Sequence, residues 1–162
     1  MSKTALLVMD MQKKFREATS CKSNFDTVTQ CINIISQTFR KKKLPVVVIQ
    51  HIEMGELKDE GFDNVEQLIV SESDYRIEKN FSNSFWKTDL EEILRKENVD
   101  TVIVSGFAAE FCVPATCNGA LERGFPVYLM QNGVSGFTEE GVNLLFAWRP
   151  LITTEELETL GN

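Results

Sequence analysis

The chain is poor in the residues that build metal centres and histidine-based triads. It holds a single histidine, His51, among 162 residues. One imidazole excludes every metal site that needs two, and any histidine-dependent nucleophile must rest on this residue. The four cysteines, Cys21, Cys31, Cys112 and Cys117, include no Cys-x-x-Cys pair, so their spacing gives no zinc signature. No apolar run approaches the roughly 20 residues of a membrane helix. The apolar run near the N-terminus breaks at Asp10 without a small-residue cleavage site, which is not the pattern of a secretory signal. A cytoplasmic location with reduced thiols is therefore expected. Positive charge is scarce as well, with 17 Lys and Arg against 24 Asp and Glu. The net charge of −7 argues against nucleic acid or an anionic membrane as a partner.

What is present fits one α/β domain over residues 1–162. Apolar runs of strand length at 5–9, 46–49, 99–104, 127–130 and 151–152 alternate with helical patterns at 24–43, 88–97, 112–123 and 138–147. In the first helical pattern Val28, Cys31, Ile32, Ile35 and Phe39 recur at spacings of three and four. Gly124 stands where a glycine commonly follows a helix end, and 154–160 reads as a terminal turn or helix. Continuous apolar strands separated by helices predict a three-layer αβα, Rossmann-like domain with a mainly parallel central sheet. The basic run 40–43 falls at a helix C-terminus, where positive charge complements the dipole. The net charge is local. Residues 53–78 carry nine acidic and two basic side chains, and the remainder of the chain is balanced. That segment is either a solvated loop or a lid that disfavours anionic substrates.

In open α/β sheets ligands bind beyond the carboxyl ends of the strands. Asp10 ends the first strand, where its carboxylate would project into the crevice or cap a turn. Lys79 precedes a polar and aromatic stretch without strand or helix period, the usual setting of a surface charge. Cys112 opens a helix after the 99–104 strand and the turn that follows. There the dipole and the free N–H groups favour a thiolate and can hold an oxyanion. Pro114 is compatible with that first turn. Cys117, Cys31 and Cys21 have no such electrostatic help and read as packing residues. Among the aromatics, Phe107 and Phe111 flank the turn and are expected near the site, with Phe15, Phe81, Phe85 and Trp148 as further candidates.

These residues resemble the isochorismatase-like hydrolases, the superfamily that includes nicotinamidases and other cysteine amidases. Leu6-Leu7-Val8-Met9-Asp10-Met11-Gln12 with Phe15 resembles the family's strand and D-x-Q-x-x-F block. Lys79, Asn83-Ser84-Phe85, Thr88 and Leu90 resemble its lysine block. Val102 to Gly106, then Cys112-Val113, Thr116, Ala120 and Gly124, resemble its nucleophile block, and Pro126-Val127-Tyr128-Leu129 its next strand. Order and spacing agree from residue 5 to about residue 130.

The resemblance implies a catalytic triad of Asp10, Lys79 and Cys112. It also implies a non-proline cis peptide just before Ala108 and an oxyanion hole formed by the amides of Ala108 and Cys112. Phe15, His51, Phe107 and Phe111 are the expected pocket residues. The substrate would be a small molecule, and the family's habit implies a homodimer or higher homo-oligomer. Metal-dependent nicotinamidases of this family carry an Asp and two histidines after the second strand. Gln50-His51-Ile52-Glu53-Met54-Gly55 stands there instead, so no metal and no other cofactor is expected, and His51 either lines the pocket or is structural. True isochorismatases, which cleave a vinyl ether, generally lack the cysteine. Cys112 therefore points to acyl transfer on an amide-type C–N bond. Ether hydrolysis that bypasses Cys112, and a catalytically silent or redox-sensing module on the same fold, are the two alternatives.

Overall fold

The computed structural model describes residues 3–159. Twelve elements follow one another: β1 (Thr4–Met9), α1 (Lys13–Ala18), α2 (Lys22–Lys41), β2 (Val46–His51), β3 (Tyr75–Lys79), α3 (Leu90–Lys96), β4 (Thr101–Phe107), α4 (Cys112–Leu121), β5 (Val127–Ser135), α5 (Glu139–Trp148), β6 (Leu151–Ile152) and α6 (Thr154–Thr159). The strands form one sheet in the order β3-β2-β1-β4-β5-β6, and every pairing is parallel. The expected three-layer αβα architecture is what the chain adopts.

Strand composition explains the layers. All six residues of β1 are buried, because alternate side chains face opposite helical layers. Ala5, Leu7 and Met9 join the cluster with Leu90, Leu94, Val113 and Leu145 from α3, α4 and α5. Leu6 and Val8 join the cluster with Phe25, Val28, Ile32, Ile35 and Phe39 from α2 and Leu157 from α6. The α2 residues recur at helical spacing, so one stripe of a 20-residue helix covers the sheet.

The order β3-β2-β1-β4-β5-β6 reverses direction between β1 and β4. Chain connections leave this point on opposite sides, and a crevice opens at the carboxyl ends of these two strands. The pair is held in register from Thr4 opposite Thr101 to Met9 opposite Gly106. Gly106 has φ +108°, and a Cβ placed on it would lie 2.1 Å from the Met9 carbonyl oxygen. Only glycine lets β4 approach β1 this closely, immediately before the turn that leads to Cys112. Beyond Val104 the β4–β5 register shifts, and β5 bulges before Val134 and Ser135 pair with Gly106 and Phe107.

Several expectations need correction. The short helix α1 and the strand β3 were not foreseen. β3 is an edge strand of five residues, Tyr-Arg-Ile-Glu-Lys, in which only Ile77 and Lys79 are buried. Lys79 is therefore no surface charge: it occupies an inward position of the pleat and is 1% exposed. β5 runs five residues beyond the predicted end at 130. Arg40 does more than complement a helix dipole, since its guanidinium donates to both carboxylate oxygens of the buried Asp74, at 2.9 and 2.6 Å. That fork ties the C-terminal end of α2 to the entry of β3. Residues 52–74 form a largely exposed connection held to the sheet end by main-chain bonds, including Lys13 N–H to Asp63 and Val65 N–H to Met11. Cys21 is half-buried at the start of α2 and is not part of the core, whereas Cys117 is fully buried. Met1, Ser2 and the end of the predicted helix at Leu160 lie outside the described residues.

Gly106→Ala is expected to destabilise the protein by at least about 2 kcal/mol, because the new methyl group meets backbone at a left-handed φ. A urea titration monitored by circular dichroism would show the loss as a lower midpoint with an unchanged slope.

Candidate active site

Four strand ends converge on one buried ammonium group. Lys79, the last residue of β3, lies opposite His51, the last residue of β2. Its Nζ donates to Asp10 Oδ2 at 3.0 Å and lies 3.3 Å from Cys112 Sγ and 3.2 Å from His51 Nδ1. Both members of the Asp10–Lys79 ion pair are at most 1% exposed. Asp10 follows β1 in the left-handed region, φ 52°, and its amide donates to Ile49 of β2 at 2.9 Å. A carboxylate residue tolerates this conformation better than most, and here it turns the chain off the strand at the crevice. Cys112 is the first residue of α4.

Asp10, Lys79, Cys112 and His51 are thus brought together. The Phe107–Ala108 peptide is cis, at the position the resemblance implied. Among the described residues, the amides of Ala108 and Cys112 donate to no carbonyl, whereas those of Phe111 and Val113 both donate to the Ala108 oxygen.

A cavity of about 260 Å³ opens on this cluster, lined by Asp10, Phe15, His51, Phe107, Ala108 and Cys112, with Phe111 and Phe137 at one wall. The aromatic wall is continuous. Phe15 and Phe107 lie 5.3 Å apart between ring centroids, Phe107 and Phe137 4.8 Å, and Phe137 and Phe111 5.8 Å. Phe85 instead packs in the core against Phe125, Phe81 lies beneath the Lys87 ammonium, and Trp148 is exposed on α5. Sequence reasoning missed Glu53, Ser82 and Phe137 as lining residues. Phe137 is held by Glu110, whose carboxylate accepts from the amides of Phe137 and Thr138 at 3.0 Å each. A long-range contact of this kind leaves no sequence pattern. Gln12, by contrast, belongs to the quoted Asp10 block. Buried, it accepts from the His51 amide at 2.7 Å and donates to the His51 carbonyl at 3.0 Å, fixing the end of β2.

The electrostatics depart from the simple helix-dipole expectation. Burial, and then the negative charge of Asp10, push the Cys112 thiol up to about 12, against the opposing pull of Lys79. Burial also raises the Asp10 carboxyl, with Lys79 opposing. Asp10 Oδ2 takes the Lys79 bond, while Oδ1 is buried without a hydrogen-bond partner among the described residues. Cys117 is also pushed up, to about 11, by burial alone as the leading cause.

Asp10, His51 and Cys112 could offer a metal ion three ligand atoms within 4.8 Å of one another. The Lys79 ammonium, however, already stands within 3.3 Å of one such atom on each. A divalent ion would have to displace a buried cation, and the chain has no second histidine to help hold it. The residues present do not fit a metal.

A sequence model of the isochorismatase domain matches residues 4–149. Nicotinamidase 3 of Arabidopsis thaliana is 30% identical over 183 aligned positions that cover 98% of this chain and 89% of the relative. The isochorismatase family protein YddQ of Bacillus subtilis is 30% identical, covering 83% of this chain and 79% of its own length. Among solved structures, an isochorismatase-like hydrolase from Alkaliphilus metalliredigens superposes with a TM-score of 0.82 at 27% identity over 96% of both chains.

Asp10→Asn removes the charge that helps hold the Cys112 proton. The variant's Cys112 is expected to react with iodoacetamide at pH 8 about tenfold faster than the parent's, the change that one pH unit of thiol acidity gives. Peptide mapping separates this from alkylation of Cys117, and an unchanged or slower Cys112 rate would contradict the coupling.

Proposed function

We propose, from the premise that this chain belongs to the isochorismatase family of hydrolases, that it is a cysteine hydrolase of small amide-type C–N bonds. The observation that carries this reading is the Lys79 ammonium bound to both Asp10 and Cys112, two of the residues that line the cavity. The similarity to a nicotinamidase at 30% identity supports the same reaction class.

The steps follow from the geometry. Asp10 takes the Cys112 proton as the sulfur attacks the substrate carbonyl, and Lys79 stabilises the developing thiolate. The amides of Ala108 and Cys112 receive the oxyanion of the tetrahedral adduct, each donor being worth about 3 kcal/mol in comparable sites. The C–N bond breaks as Asp10 returns the proton to the departing amine, leaving an acyl thioester on Cys112. Water then gives a proton to Asp10 and adds to the thioester. The second adduct collapses, the C–S bond breaks, the sulfur recovers its proton and the acid leaves.

The cavity walls support a narrower substrate class. It has room for a ligand of modest size, four phenylalanines line it, and Glu53 stands at its rim. The buried Lys79 behind it is saturated by protein acceptors, and among the described residues no lysine or arginine lines the wall. A small, uncharged amide with a flat apolar portion fits these walls better than an anionic one. Of the acidic segment, Glu53 alone lines the cavity, so the discrimination against anions is assigned to that side chain. The four unpaired thiols suit a reducing, cytoplasmic setting. The burial of Cys112 also weighs against peroxide sensing, which favours an exposed thiolate.

Cys112→Ala is expected to lower turnover of neutral carboxamides by about 10⁴-fold or more, in line with loss of other catalytic nucleophiles. Intact-protein mass spectrometry of the parent enzyme, quenched during turnover, should show the acyl adduct on Cys112. Turnover that survives Cys112→Ala but disappears in Asp10→Asn would instead support hydrolysis without the cysteine.

A further inference from the structure

An ammonium group has three N–H bonds, and buried Lys79 has three neighbours to receive them. Asp10 Oδ2 and Cys112 Sγ are the two partners of the proposed chemistry; the third is His51 Nδ1 at 3.2 Å. An ammonium only donates, so Nδ1 must present its lone pair and the ring proton resides on Nε2. Nε2 lies 2.9 Å from Glu53 Oε1, which accepts that proton. The tautomer is thus fixed from both sides. Gln12 clamps the His51 backbone through its amide and its carbonyl, and Phe15 lies 6.3 Å from the imidazole between ring centroids. The imidazole has little freedom to turn.

We propose that His51, oriented by Glu53, is a positioning residue that holds the third N–H of Lys79 and so aims the other two at Asp10 and Cys112. This rests on the proposed hydrolase reading, because it assigns the histidine a part in the same site. Without the Nδ1 acceptor, one N–H of a fully buried cation would be unsatisfied, and the ammonium would swing toward the carboxylate, its strongest partner. The sulfur would then lose the cation that stabilises its thiolate. Glu53 acts one step further out: it keeps the Nδ1 lone pair turned to Lys79.

Two substitutions separate this role from simple packing. His51→Phe keeps a flat ring and removes the acceptor. His51→Asn is smaller but places an amide oxygen near the Nδ1 position. Alkylation of Cys112 by iodoacetamide at pH 8 needs no substrate, and it is expected to slow about tenfold in His51→Phe and to return within about threefold of the parent in His51→Asn. On whichever neutral carboxamide the parent turns over, His51→Phe should lower kcat by about 30- to 100-fold and leave KM within about threefold, with His51→Asn again rescuing. Glu53→Asp retains the charge but withdraws the oxygen from Nε2. This side chain is 72% exposed, so the variant should fold, and an intermediate slowing of about threefold is expected. Should His51→Phe fail to fold, His51→Asn and Glu53→Asp carry the test. Equal alkylation rates in parent, His51→Phe and Glu53→Asp would overturn the proposal, as would a rise in KM at unchanged kcat, which would make His51 a substrate contact. If the parent hydrolyses no amide while the alkylation rates still differ as stated, the positioning role holds and the amide reading falls.

Discussion

The structure depends on keeping one cation dry. Lys79 is 1% exposed, and a charge removed from water at that depth is tolerated only with its hydrogen bonds satisfied and an opposite charge beside it. Each partner comes from a different strand end: Asp10 after β1, His51 at the end of β2 and Cys112 after β4. The sheet order is what makes this meeting possible. β3, β2, β1 and β4 are neighbours in that sequence, and their carboxyl ends face the same way because all the pairings are parallel. The lysine stem carries its ammonium inward from the edge strand to where the side chains of Asp10, His51 and Cys112 meet it.

Three further features lie close to this cluster or to the strand that carries its lysine. Gly106 brings β4 against the Met9 peptide, and Asp10 immediately follows Met9 in a left-handed turn. The two together set how far the Asp10 carboxylate and the start of α4 stand from each other. Farther out, Arg40 grips Asp74 at the entry of β3, the edge strand that carries Lys79. This pairing holds a strand that buries a single apolar residue, Ile77, beside a buried lysine.

Much of the fold was legible because the central strands are continuously apolar and the principal helix has an unbroken stripe. β1, β2 and β4 announce themselves as runs such as Val46-Val47-Val48-Ile49. β3 did not, because an edge strand with one solvated face needs only alternate apolar positions, and one of its two buried positions is a lysine. The alternation Ile77-x-Lys79 was the available signal, and pattern reading treats a lysine as an outward residue. Asp10, Lys79 and Cys112 were legible as a set from the block resemblance, not from their separate settings. Glu53, Phe137 and Glu110 were not, since their contacts with the site or its wall depend on loop paths that carry no periodicity. The helix-dipole argument for Cys112 left out two effects of the fold that push its thiol up, burial and the carboxylate of Asp10.

Those two effects clarify the chemistry. A thiol held near 12 is a poor nucleophile at rest, yet it is surrounded by the groups that would activate it. After burial, the negative charge of Asp10 is what disfavours the thiolate, and in the proposed mechanism the same carboxylate accepts its proton. Once Asp10 is protonated, the repulsion disappears and Lys79 faces the sulfur as an uncompensated cation. Proton transfer and charge stabilisation are therefore one event, with the net charge of the buried cluster conserved throughout. A low-dielectric site favours this arrangement, because moving a proton between neighbours requires no new charge to be buried. Exposure of a free thiolate, with the oxidation it invites, is avoided between turnovers. Histidine is unnecessary as the base under these conditions, and the one histidine of the chain is left to hold the lysine.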